Sequence, residues 1–362
     1  MRWLSDNAVD RLLEDADLPD LGDSKYAVIR KLGSGGMGTV YLAQDAELGR
    51  KVAVKVMNIA DPSGALASRM TREAQIIALL EHPGIVPIHD VGTLEDGRVF
   101  YAMKLVHGRR LDESVDSVSL ADLLRIFQKV CEAVAFAHAH RVIHRDLKPE
   151  NIMVGSFGEV LVMDWGVAKV LTGGRAEMNA ALPEHGDMSF EEIERADTLP
   201  LFGPPHGETG GGTIIGTPAY MPPEQAKGRT ELLDERSDVY ALGAILYFLL
   251  TGRPPSDGNG TTARATMSVG QPARPRHIRS KIPKAIEAVC LKAMSERQED
   301  RYSSAEEMGK DVLNFLDGSP VTAYRENLVE TAVRWLGKNR FLVLLILAYL
   351  LMRVLVLFFL KR

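Results

Sequence analysis

His144-Arg145-Asp146-Leu147-Lys148-Pro149-Glu150-Asn151, residues 144–151, sets a carboxylate, an ammonium and an amide within one short run. Asp164-Trp165-Gly166 follows, with Asp164 placed 18 residues after Asp146 (164 − 146). Phosphoryl transfer requires three polar groups converging on one phosphate: a carboxylate near the accepting hydroxyl, and an amide plus a second carboxylate on metal ions. The two segments supply these groups in that order.

Working upstream, Gly33, Gly35 and Gly38 form G-x-G-x-x-G and are followed by Val40. A dinucleotide fingerprint needs a helix directly after such glycines, but TVYLAQD is β-branched and aromatic and continues as a strand. A P-loop needs Lys after its last Gly, and Thr39 stands there. What remains is a hairpin flap whose backbone amides cover nucleotide phosphates. Such a flap predicts a lysine on the next strand but one, and Val52-Ala53-Val54-Lys55 provides it. A carboxylate is needed to hold that lysine, and Glu73, 18 residues on (73 − 55), lies in the middle of a helix-like run.

Taken together, residues 26 to 318 resemble a eukaryotic-type Ser/Thr protein kinase of the kind also found in bacteria. The resemblance implies an α+β, two-lobed fold: a β-rich N-lobe with one helix over 26–105 and a mainly α C-lobe over 106–318. It implies Asp146 as catalytic base, with Lys148 steadying the γ-phosphate. Lys55 holds the α- and β-phosphates and pairs with Glu73, and Asn151 and Asp164 bind Mg²⁺. Leu32, Gly33, Gly35, Gly38, Val40, Ala53, Met103, Lys104, Val106 and Met153 surround ATP, with backbone groups of Val106 and Lys104 offered to adenine. Lys148 follows the Ser/Thr pattern rather than the tyrosine-kinase one. The expected activity is that of a non-specific serine/threonine protein kinase, with protein substrates and a homodimer allowed for trans-autophosphorylation. A pseudokinase scaffold would have lost Lys55, Asp146, Asn151 or Asp164, and all four are present. Small-molecule kinases are disfavoured by Pro218-Ala219-Tyr220-Met221-Pro222-Pro223-Glu224, which in the resemblance builds a peptide shelf.

The segment from Asp164 to Glu224 has 61 residues (224 − 164 + 1), an extended activation segment with a Gly/Pro/acid-rich excess around 172–210. By the resemblance Arg145 grips a phosphate on this segment, and Thr213, four residues before Thr217, is the expected phosphosite. Glu224 has a candidate ion-pair partner in Arg301, and Asp238 is expected to brace the catalytic loop. Trp165 replaces the family's usual Phe and is expected to pack beneath the Glu73 helix.

Composition bounds the rest. With 362 residues, 46% hydrophobic and 25% charged, a core is available and a disordered or disulfide-stapled chain is excluded. Cys131 and Cys290 are expected as buried, reduced thiols. A net charge of −5 lacks the positive field of a non-specific nucleic-acid binder, so no nucleic-acid partner is expected. Residues 1–25 read as an acidic lead-in without the apolar core of a signal peptide.

Residues 341–360 read FLVLLILAYLLMRVLVLFFL, in which sixteen of twenty positions are Leu, Ile, Val or Phe and Arg353 is the single charge. Sixteen such residues favour membrane insertion by roughly 5 to 10 kcal/mol. A central arginine opposes it by about 2.5 to 3.5. A transmembrane helix is therefore expected, with 319–340 as a juxtamembrane segment and the lipid bilayer as a partner. Arg334, Lys338 and Arg340 precede the span and only Lys361 and Arg362 follow it, which places the kinase domain in the cytoplasm by the positive-inside rule.

Overall fold

The computed structural model of the chain describes residues 18–19, 21–22, 24–35, 38–60, 74, 77–115, 118–165, 169–170, 218–256 and 272–360. Val-, Tyr- and Ala-rich runs form β1 (Tyr26–Gly35), β2 (Gly38–Asp45), β3 (Arg50–Ala60), β4 (Ile88–Thr93) and β5 (Arg98–Lys104), an antiparallel sheet ordered β1-β2-β3-β5-β4. Alternation along these strands separates two apolar faces. Val52, Val54, Val56, Phe100 and Ala102 pack with Leu21, Tyr26 and Leu94 on one face. Ala53, Met57, Tyr101 and Met103 line the other, and the period of two puts Lys55 on this second face. Register shifts in β1 between Val28 and Arg30 and between Lys31 and Gly33 bend the strand at its glycine end.

Downstream, β6 (Gly108–Arg110), β8 (Ile152–Gly155) and β9 (Val160–Val162) make a small antiparallel sheet, while β7 (Val142–Ile143) pairs with β10 (Lys169–Val170). Gly84 and Val86 clip the segment just before β4 of the first lobe onto β9: Val162 N donates to Gly84 O at 2.8 Å, and Val86 N to Val162 O at 3.1 Å.

The second lobe is helical. Its longer helices are α1 (Leu120–Ala139), α2 (Glu235–Thr251), α3 (Lys284–Ala293) and α4 (Ala305–Leu316). Ser119, Asp234 and Ser304 cap α1, α2 and α4 by accepting backbone N–H groups of Asp122, Arg236 and Glu307, which fixes where each begins. α2 is buried along nearly its whole length, as expected for a helix apolar on all sides. Phe127, Val130, Leu242, Ile245, Ile286, Met308 and Val312 join these helices in one core. Cys131 and Cys290 are free and buried there.

On α4, Asp311 (1% exposed) accepts the Tyr302 hydroxyl and, from the chain beyond the helix, the Thr322 N–H and hydroxyl and the Ala323 N–H at 2.7 to 3.1 Å. The chain then forms α5 (Leu328–Lys338), opened by an Asn327–Glu330 capping box, and α6, a continuous 21-residue helix from Arg340 to Leu360. Among the described residues no helix is long and apolar enough to cross a membrane. The expected span overlaps α6, in which the side chains at 340, 342, 354 and 358–360 are outside the described set.

Candidate active site

β7 delivers the chain into His144–Asn151, the segment with the densest polar chemistry. Arg145 sits at φ +68°, a backbone conformation that costs a side-chain-bearing residue energy. Asp238 on α2 offsets that cost. Its Oδ1 accepts the Arg145 N–H at 2.9 Å and its Oδ2 the His144 N–H at 2.8 Å, while His138 Nε2 lies 2.8 Å from the same Oδ2. Burial alone would raise the Asp238 pKa, but these donors hold the carboxyl below the usual range. The brace expected from the sequence is present in the structure.

Asp146 is 7% exposed. Lys148 Nζ donates to its Oδ2 at 2.7 Å, and Asn151 Nδ2 donates to the Asp146 carbonyl at 2.8 Å and to Oδ2 at 3.3 Å. The Asp146 N–H in turn donates to His144 Nδ1 at 3.3 Å, which puts the ring proton on Nε2, 3.0 Å from Met163 O. With its amide nitrogen committed to Asp146, Asn151 keeps the amide oxygen as its coordinating atom.

Across the cleft, Lys55 Nζ meets Asp164 Oδ1 at 2.5 Å. Burial works against the Lys55 charge, but Tyr101 and Asp164 beside it outweigh that and raise its pKa. Burial would raise the Asp164 pKa as well, yet Lys55, His144 and Lys148 hold it below the normal value, so this carboxylate feels both lysines. Trp165, 2% exposed, donates Nε1–H to Val162 O at 3.2 Å and tilts against His144 with ring centroids 4.6 Å apart. Glu73, the expected partner of Lys55, lies outside the described residues, as do Gly166, Thr213 and Thr217.

Val40, Ala53, Met103 and Val106 fall into one apolar cluster beside Lys55, together with Met163. Met163 and Tyr101 were missed by motif reading. The available signals were the adjacency of Met163 to Asp164 and the cross-strand pairing of Tyr101 with Lys55. Met153 is half-buried on β8 and is not a member of that cluster. Leu32 is 41% exposed at the bent end of β1, and Gly33 and Gly35 continue that strand, with Gly35 paired to Gly38. Lys104 is exposed, and its N–H donates to Pro87 O at 3.0 Å.

These residues fit a nucleotide with its metal. The apolar cluster suits a purine ring, the charged Lys55 beside it suits phosphates, and a Cβ on Gly33 would meet nothing within 4 Å. Among the described residues no group of three His, Cys, Asp or Glu could hold a metal by itself. Mg²⁺ binds in the complementary way, through one or two carboxylates together with substrate phosphates, and Asn151 and Asp164 supply oxygens of that kind.

Below the cleft, Arg301 and Glu224 form a buried pair joined by two hydrogen bonds at 2.8 and 2.9 Å. The other Arg301 N–H groups donate to the carbonyls of Ser295, Arg236 and Glu296, so the whole guanidinium fork is engaged. Ser237 Oγ donates to Glu224 at 2.8 Å, tying the end of the long segment to α2.

Comparison with known proteins agrees with this geometry. A family model described as the protein kinase domain matches residues 26–197 and 202–313. Serine/threonine-protein kinase PknD of Chlamydia felis is 35% identical over 317 residues, which cover 82% of this chain and 31% of that protein. Serine/threonine-protein kinase PknB of Mycolicibacterium smegmatis is 36% identical over 306 residues, covering 81% and 43%. The chain thus spans about a third of the length of the PknD relatives it matches. The crystal structure of the Mycobacterium tuberculosis PknI kinase domain superposes with a TM-score of 0.58 at 24% identity, over 82% of this chain and 99% of that one, a likeness of fold.

Proposed function

This chain belongs to the protein kinase family, and from that premise we propose that it transfers the γ-phosphoryl group of ATP to serine and threonine hydroxyls of proteins. The observation that carries the reading is the buried Asp146 carboxylate held by Lys148 and Asn151, facing the Lys55–Asp164 pair.

Asp146 Oδ2 is fixed by Lys148 and Asn151, so the carboxylate is aimed without reorganisation and can accept the proton of an incoming hydroxyl. Lys148, already on Oδ2, offers its remaining N–H groups to the phosphoryl oxygens as charge moves between acceptor and donor. Lys55, kept charged, sits where the α- and β-phosphates would lie. Asn151 and Asp164 would hold Mg²⁺, which supplies charge neutralisation on the phosphates when bound. Val40, Ala53, Met103, Val106 and Met163 would clasp the adenine ring and exclude water. Thr213 on the activation segment is the proposed autophosphorylation site, with a second copy of the chain as the partner in trans.

Asp146→Asn tests the reading. Phosphorylation of a generic protein substrate should fall by about 10² to 10⁴, with nucleotide binding, followed by calorimetry, retained. Persistent activity would remove Asp146 as base.

Anchoring in a bilayer through residues 341–360, with the kinase domain on the cytoplasmic side, belongs to the same proposal. Support comes from the continuous helix of 21 residues, about 32 Å at 1.5 Å per residue, close to the thickness of a hydrocarbon core. Flanking basic residues support the orientation.

A further inference from the structure

The 11-residue helix α5 stands between the catalytic domain and α6, and its two flanks meet different surroundings. One flank is tied to the domain. Glu330 accepts Lys284 Nζ from α3 at 2.8 Å and the Tyr324 hydroxyl at 2.9 Å, and also closes the capping box with Asn327. The Lys284 ammonium holds the Glu330 carboxyl below its usual range, so the tie is charged at neutral pH. Tyr324 belongs to the stretch that Asp311 anchors through Thr322 and Ala323, so the helix inherits the placement of a buried side chain.

The other flank has no protein against it among the described residues. Val329, Trp335 and Leu336 are 71%, 53% and 46% exposed, and exposed Ala332 lies between them. Positions 329, 332 and 336 repeat at three- and four-residue spacing, so they share one stripe, with Trp335 beside it. From Thr331 to Phe341 the sequence carries Arg334, Lys338 and Arg340 and no acid. Only Asn339 separates α5 from α6, whose side chains Phe341, Leu344, Leu345 and Leu347 are exposed apolar groups.

We propose that α5 is an interfacial helix. Its Val329–Leu336 stripe lies in the headgroup–acyl boundary of an anionic bilayer, and the Glu330–Lys284–Tyr324 tie fixes the catalytic domain's orientation on that surface. Charge and continuity argue for lipid as the occupant. Basic residues within and just after the apolar stripe complement anionic headgroups, and an interfacial tryptophan suits that depth. The inference rests on the reading of α6 as the membrane anchor.

Its test is spin labelling of the full chain in phosphatidylcholine–phosphatidylserine vesicles. Cys131 and Cys290 are buried, so cysteines introduced as Val329→Cys, Leu336→Cys, Thr331→Cys and Ile346→Cys take the label. Oxygen accessibility at 329 and 336 should exceed that at 331 severalfold and fall short of that at 346. If 329 and 336 read as water-exposed while 346 reads as lipid, the interfacial helix is overturned and the anchor stands. If 346 also reads as water-exposed, both fail. Spin–spin broadening between 336 labels on different molecules would assign the stripe to a second copy of the chain and likewise overturn the proposal.

Discussion

Arg145 donates its backbone N–H to Oδ1 of Asp238 at 2.9 Å across 93 residues of chain. The bond holds a residue at φ +68° immediately before Asp146, so the direction of the proposed catalytic base is set by a helix in the core of the second lobe. Because α2 is buried on nearly every side, it has little freedom to pass error to the loop it braces.

Asp238→Asn separates this positioning role from the chemistry. An asparagine offers one acceptor oxygen where the His144 and Arg145 N–H groups occupy two, and its NH₂ then faces a donor. With Asp238 1% exposed, the loss should be about 3 kcal/mol of folding stability, read from urea unfolding. Displacement of Asp146 should lower kcat about a hundredfold, with the KM for ATP changed far less.

Glu224 and Arg301 give a prediction in pH. Burial pushes the Glu224 carboxyl up, but Arg301 more than reverses this and leaves its folded pKa below the ordinary value of 4.5. Such a group stabilises the fold fully above its unfolded pKa, and the contribution is lost as pH falls through the folded pKa. Glu224→Gln should therefore cost about 3 kcal/mol at neutral pH. The gap between variant and wild type should close as pH drops below about 4.5, which melting curves of the two proteins side by side would show. A gap that stayed constant into acid would mean the pair contributes nothing electrostatic.

The catalytic loop was legible in the sequence because each of its polar residues answers to one geometric demand, so order and spacing carry the information. Asp238 and the Glu224–Arg301 pair were legible for the same reason. Met163 and Tyr101 were not, because an apolar or aromatic residue at the edge of a cleft obeys the same strand periodicity as one in the core. Met153, expected at the ring site, is half-buried on β8, and Met163 joins Val40, Ala53, Met103 and Val106 in the apolar cluster. The anchoring of Thr322 on Asp311 was also hidden, since an aspartate in an amphipathic helix reads as a solvated charge until the returning chain covers it.

Two glycines of the flap should behave differently. A Cβ on Gly38 would lie 2.5 Å from the backbone oxygen of Val56, so Gly38→Ala must push β2 away from β3. We expect about 1 to 3 kcal/mol of destabilisation in a thermal melt. Gly33→Ala meets open space and should melt like the wild type. If phosphates pass under the flap as proposed, Gly33→Ala should instead raise the KM for ATP. Equal melting shifts for the two variants would contradict the packing described.

Asp311 makes the last prediction. It accepts the Thr322 and Ala323 N–H groups and the Tyr302 and Thr322 hydroxyls while 1% exposed, so Asp311→Ala strands several donors at once. The expected cost is about 3 kcal/mol. Thr322→Val removes one hydroxyl bond and leaves the others, for about 1 kcal/mol. If these bonds hold residues 319–324 on α4, limited proteolysis should cut that stretch readily in Asp311→Ala and slowly in Thr322→Val. Equal resistance in both would show that the buried Val321 side chain, rather than the hydrogen bonds, keeps the segment docked.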